Sequence, residues 1–248
     1  MAKRKKTITA GNLVKTILYN APEPRDGERA RAAKSRITSA AQKAMNDKTA
    51  RGRLEMLLAA NFTRRDLFLT LTYRPTDLPA QRAQAVKNVR RFLKLLREYR
   101  KARGIPMKYV YVTEDKHGAG KLHHHIVLKA TERDIEVIRS LWPHGDVVDI
   151  EYIGSREYAT WAGYVTKEGV QGRPVGAQMW TASRNMVKPK VTTSFAAEDE
   201  TLAPPPGCHV IEREEKVTEF GSYCYIKYCV LPKYWENRRP EDRALEPL

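Results

Sequence analysis

The stretch Lys121-Leu122-His123-His124-His125-Ile126-Val127-Leu128 reads as a β-strand with two unlike faces. Side chains alternate along a strand, so Leu122, His124, Ile126 and Leu128 point one way, towards a core. His123 and His125 point the other way, side by side. Two imidazoles at that spacing are natural metal ligands. His124 stands where an apolar residue is expected and reads as a packed histidine. Met107 to Thr113 reads as a preceding strand, and the link Asp115 to Gly120 suits an antiparallel hairpin. Glu114 ends that strand, and pairing can bring its carboxylate near His123 and His125. Asp115 is the nearest competitor for that role. Two imidazoles and one carboxylate leave positions open for a phosphate oxygen and water.

Outward from the hairpin, the periodicity changes several times. Leu67 to Tyr73 is β-prone and stops at Arg74-Pro75. Asp77 can cap the next element, and Pro79 suits an early helical position. From Ala80 to about Arg103, Val86, Val89, Leu93 and Leu96 form an apolar stripe with Phe92 beside it, ended by Gly104 and Pro106. Thr131 can N-cap a helix running to about Leu141, with Asp134 where a capping box would want Glu or Gln. Asp146 to Tyr152 reads as a fourth strand, and Ser155 caps a helix from Arg156 to Glu168. The order is β-α-β-β-α-β-α.

That last helix carries Tyr164 and Lys167, three apart on one face. A phenol is a poor nucleophile near neutral pH, because its reference pKa is about 10. A neighbouring cation helps it ionise, and a metal-polarised phosphate would accept its attack. Tyr158 is the other candidate. It lies about 240° away around the helix, so both cannot face one site squarely.

The remaining segments divide the chain. Residues 1–60 read as a basic, largely helical preface, residues 61–190 as the domain carrying the chemistry, and residues 191–248 as an extension with a late strand at Tyr223 to Leu231 and a charged tail. The 248 residues carry a net charge of +16, unevenly spread. Residues 1–110 hold 27 Lys and Arg against 8 Asp and Glu, and the rest hold 18 against 21. A one-sided basic half points to a polyanion, most often nucleic acid. Arg74, Arg90, Arg91, Lys94, Arg184 and Lys188 are the candidate backbone contacts. Hydrophobic content of 42% excludes a fully disordered chain. No apolar run nears the roughly 18 residues of a membrane span, and no signal-peptide core follows Met1-Ala2-Lys3-Arg4-Lys5-Lys6. Cys208, Cys224 and Cys229 lack a zinc spacing and read as reduced thiols of a cytoplasmic protein.

Three elements in this order resemble the HUH endonucleases, in particular rolling-circle replication initiators of phage and plasmid type. They are Phe68-Leu69-Thr70-Leu71-Thr72-Tyr73, Leu122-His123-His124-His125-Ile126-Val127-Leu128 and Tyr164-Val165-Thr166-Lys167. Trp180-Thr181-Ala182-Ser183-Arg184-Asn185 also resembles the tract after the tyrosine helix of phage replication proteins. The resemblance covers about residues 65–190. It implies an α+β fold with a central antiparallel sheet and helices packed against it. It implies Mg2+ or Mn2+ held by His123, His125 and Glu114, with Tyr164 attacking single-stranded DNA at a replication origin to leave a 5′-phosphotyrosine. The middle position of the histidine motif is His124, and there is one Tyr-x-x-Lys and no paired tyrosine. No P-loop occurs, so unwinding and synthesis are expected to need a host helicase and polymerase in a bacterial cytoplasm. The competing readings are a relaxase, a single-tyrosine transposase, or a non-catalytic binder using Tyr73, Tyr109 and Tyr111 as stacking platforms.

Overall fold

Gly11-Asn12 turns the chain through a tight hairpin, with Gly11 at φ 53, in the left-handed region. It joins strands β1 (Ala2–Ala10) and β2 (Leu13–Ala21), which pair antiparallel. Residues 2–21 therefore correct the expectation of a largely helical stretch over 1–60. The β-branched residues Thr7, Ile8, Thr9, Thr16 and Ile17 on either side of a Gly-Asn turn favour a hairpin over a helix. Helix α1 (Ala40–Ala59) supplies the helical part. The remaining elements are β3 (Leu67–Leu71), α2 (Arg82–Lys101), β4 (Tyr109–Lys116), β5 (Lys121–Leu128), α3 (Ile135–Leu141), β6 (Val148–Tyr152), α4 (Tyr158–Val165), β7 (Thr181–Ala182), β8 (Lys190–Phe195), β9 (Cys208–Thr218) and β10 (Gly221–Val230). The computed structural model describes residues 2–21, 40–116, 121–131, 134–145, 148–153, 158–166, 178–218 and 221–231. The charged tail expected at 236–248 lies outside them. The fold is α+β, built on two antiparallel five-stranded sheets.

The chain divides into two compact units, one of residues 1–43 with 187–248 and the other of residues 44–186. The first unit is a sheet ordered β8-β1-β2-β10-β9. Its core is Val14, Leu18, Leu202, Ile226, Tyr228 and Val230. Part of the N-terminal positive charge is used internally. The Lys3 ammonium donates to the carbonyls of Glu198 (2.6 Å) and Glu200 (2.8 Å), and Lys5 pairs with the Glu200 carboxylate at 2.8 Å.

The second unit is a sheet ordered β6-β3-β5-β4-β7, covered on both faces. One face carries Leu67, Leu69, Leu71, Tyr109, Tyr111, Ile126 and Leu128, packed on Val89, Phe92, Leu93 and Leu96 of α2 and Ile138 of α3. The other carries Phe68, Val110, Val112 and Val127, packed on Leu54 and Leu58 of α1 and Trp161 and Ala162 of α4. From β3 to α4 the element order is the β-α-β-β-α-β-α read from the sequence.

Two caps differ from expectation. Helix α2 starts at Arg82 behind Gln81, and Asp77 instead accepts a bond from Arg74 Nε at 2.8 Å. Helix α3 starts behind Asp134, not Thr131, and the Asp134 carboxylate makes no cap bond. It is taken by Arg100, whose side chain is fully buried at the end of the α2 stripe. Arg100 Nε donates to Asp134 Oδ2 at 2.6 Å and Nη1 to the Lys129 carbonyl at 3.0 Å. A buried guanidinium cannot be left without its carboxylate. Asp134→Ala is expected to destabilise the protein by about 3–5 kcal/mol, read as a drop in the urea midpoint.

Candidate active site

Strand β5 sits between β3 and β4, and its register decides what meets what. His123 lies opposite Glu114, His124 opposite Thr113, and His125 opposite Val112 on one side and Thr70 on the other. Directly opposed residues of an antiparallel pair point the same way. Glu114, His123 and His125 therefore share the α1/α4 face, while Asp115 is paired with Leu122 and points to the other. The alternation thus favours Glu114 over Asp115 as the third ligand.

The three side chains converge. His123 Nε2 and His125 Nε2 are 3.2 Å apart, and each is 3.6 Å from Glu114 Oε2. Two donors each about 2.1 Å from an ion are about 3.0 Å apart at right angles and about 3.4 Å apart in a tetrahedron. The observed spacings are close to both, so the group can hold a divalent ion. Glu114 and His125 are buried, and His123 is partly open.

The ring orientations also suit ligation. His125 Nδ1 lies 3.2 Å from Thr70 Oγ1, and His123 Nδ1 lies 3.2 Å from the Lys121 carbonyl. With the proton on each Nδ1, both Nε2 lone pairs face the common point. Burial, with the neighbouring His123, pushes His125 down to about 3, so its imidazole is neutral near pH 7. Thr70 is a neighbour of the candidate site that the sequence reading does not single out. Its signal is available, because it alternates with the core leucines of β3 and so faces the histidine pair.

His124 is buried among Tyr73, Trp142 and Thr113 on the opposite face. Tyr73 Oη is 2.8 Å from its Nε2 and Thr113 Oγ1 is 2.9 Å from its Nδ1. Burial pushes it down to about 3 as well, and pushes the Tyr73 phenol up to about 12.

Helix α4 is anchored on its inner side. Tyr158 donates its hydroxyl to the Phe62 carbonyl at 2.6 Å, and Trp161 Nε1 donates to the Ile153 carbonyl at 3.1 Å. Tyr164 lies on the open side, 45% exposed. Its ring centroid is 5.3 Å from that of His125 and 5.7 Å from that of Phe68. The Tyr158 hydroxyl is therefore engaged in holding the helix, and Tyr164 stands beside the Glu-His-His group. Lys167 lies outside the described residues.

The six expected DNA contacts stand in different settings. Arg74 is tied within the protein, to Asp77 and to the Pro143 carbonyl at 2.5 Å. Arg91 and Lys94 are exposed on α2, with Lys94 3.8 Å from Glu98. Lys188 belongs to the other unit. Arg90 and Arg184 line one groove on the α2 side of the sheet. Tyr109 and Tyr111 are buried, which removes them as base-stacking platforms.

Residues 66–169 match a family model described as replication-associated protein ORF2. That stretch runs from the start of β3 past α4 and includes the Glu-His-His group and Tyr164. The match points to a role in replication initiation and to DNA as a partner. No curated protein and no solved structure matches the chain.

Two outcomes follow from this geometry. Thr70→Val should weaken Mn2+ binding about 10–100-fold by titration calorimetry, since it removes the partner that orients His125. His124 and His125 resist protonation in the fold but accept protons near pH 6.5 when unfolded. The metal-free protein should therefore lose stability as pH falls from about 6.5 towards 3, with the urea midpoint dropping across that window.

Proposed function

We propose that this chain nicks single-stranded DNA at a replication origin and passes the strand on, starting rolling-circle replication. The reading rests above all on Tyr164, an exposed phenol whose ring lies tilted against His125 of a group able to hold a divalent ion. The similarity of residues 66–169 to replication-associated proteins supports it.

In this reading Glu114, His123 and His125 hold Mn2+ or Mg2+. Two nitrogen donors and one carboxylate favour Mn2+ of the two, since imidazole prefers the softer first-row ions. Bound there, the ion supplies Lewis-acid polarisation of a phosphate oxygen. Thr70 keeps the His125 ring in its ligating orientation. The anchored inner face of α4 holds Tyr164 at the edge of the site, where its hydroxyl can approach a phosphate from solvent. The Tyr164 oxygen forms a bond to phosphorus, the bond to the 3′ oxygen breaks, and the phenolic proton is lost to solvent while the 3′ oxygen gains one. Lys167, three residues on, is the cation assigned to assist the phenol. The 5′ end remains on Tyr164 as an ester, which a later 3′ hydroxyl can attack to rejoin the strand. The free 3′ hydroxyl primes a host polymerase, and a host helicase separates the strands.

The test uses single-stranded DNA spanning the origin of the replicon that encodes the protein. Incubation with Mn2+ should give a covalent protein–DNA adduct on a denaturing gel, abolished by chelator. Tyr164→Phe should reduce adduct formation by at least about three orders of magnitude, as expected for loss of a nucleophile. Tyr158→Phe should keep the adduct and lose only about 1 kcal/mol of stability with its hydrogen bond. An adduct that survives Tyr164→Phe and disappears with Tyr158→Phe would reverse the assignment. No adduct from the wild type on any such DNA would leave a binding protein in its place.

A further inference from the structure

The Glu-His-His group and Tyr164 use one face of the second sheet. The other face carries a groove of about 1170 Å3 between α2 and the segment after β7. Arg90, Arg97 and Lys101 of α2 form one wall, at helical spacing, and Arg184 stands on the other. Among the described residues lining it, none is acidic.

Both walls are held in place by β4 and the residues just before it. Arg90 Nε donates to the Tyr111 hydroxyl at 3.2 Å, and Arg97 Nη2 donates to the Tyr109 hydroxyl at 2.9 Å. On the far side, the Ser183 amide donates to the Tyr109 carbonyl at 2.9 Å, and Asn185 Nδ2 donates to the Met107 carbonyl at 3.2 Å. Each guanidinium thus spends one N–H on a tyrosine and keeps the rest of its fork for a ligand. The tyrosine rings are buried, so the floor offers no face for a base.

We infer that this groove is a second nucleic-acid site, which grips the phosphate backbone of single-stranded DNA without reading its bases. Four cations with no acid among them complement a polyanion, and fixed arginines recognise phosphate oxygens. The inference rests on the reading above in taking the polymer to be DNA that also reaches Tyr164. A strand that meets both the groove and Tyr164 must turn around a sheet edge. Duplex DNA, with a persistence length of about 150 base pairs, is too stiff for that turn, whereas a single strand makes it readily. The groove would then hold the strand some nucleotides away from the cut and supply affinity that the metal face does not.

The experiment measures fluorescence anisotropy of labelled oligo(dT), and of a duplex of equal length, across a salt series. The proteins are the wild type and Lys101→Glu/Arg184→Glu. Calorimetric Mn2+ binding and thermal unfolding serve as folding controls. The variant is expected to bind oligo(dT) at least about tenfold more weakly at low salt, with a log–log salt slope lower by about 1.4, from two phosphates at about 0.7 each. Unchanged affinity and slope, or no oligo(dT) binding by the wild type, overturns the groove. Preferential binding of the duplex, lost in the variant, overturns the single-stranded occupant. The proposed nicking activity is read separately by the covalent adduct. An adduct with an indifferent groove variant refutes only this inference, and a groove-dependent affinity without any adduct refutes only the nicking.

Discussion

The two-residue period of β5 is the constraint on which the second sheet depends. Three histidines stand in a row, and the alternation divides them. His124 goes to the α2/α3 side, where Tyr73 and Thr113 satisfy both of its ring nitrogens. His123 and His125 go to the α1/α4 side, where they meet Glu114. A slip of one residue in the β4–β5 register would move each histidine to the other face. Two imidazoles would then enter an apolar layer and the carboxylate would lose its partners. The leucines of β3 and the valines of β4 hold the register because both faces of the sheet are buried against helices.

Burial on both faces also separates the chemistry from much of the positive charge. The groove lined by Arg90, Arg97, Lys101 and Arg184 lies on the α2 side, and the candidate metal ligands with Tyr164 lie on the other. Several cations of residues 1–110 are also held by partners within the protein. Lys3 and Lys5 are bound to residues 198–200, Arg74 to Asp77 and Pro143, and Arg100 to a buried aspartate. Only part of the charge remains for a polyanion.

Legibility in the sequence follows the strength of local periodicity. Helix α2 and strands β3 to β6 are readable because each alternates or stripes clearly and is bounded by turn residues. The first hairpin is hidden by its composition. Lys3, Arg4, Lys5 and Lys6 read as a solvated tail, although Gly11-Asn12 between β-branched residues is a usable turn signal. Asp134 reads as a partial capping residue because its partner, Arg100, is far away in sequence. Tyr73, Tyr109 and Tyr111 are plausible stacking platforms until burial removes Tyr109 and Tyr111 from solvent and ties the Tyr73 hydroxyl to His124.

Local pattern was enough to establish the α+β order, the histidine pair on one strand face and the two candidate tyrosines, because strand and helix periods belong to short stretches of chain. Three further matters needed the folded molecule. Strand register put Glu114, and not Asp115, on the face of the histidine pair and brought Thr70 to His125, since partners across a sheet come from distant segments. The docking of α4 gave the Tyr158 hydroxyl to Phe62 and left Tyr164 beside His125. The layering of helices on both faces put Arg90 and Arg184 in a groove away from the candidate metal site, because which face a cation serves depends on what packs beneath it.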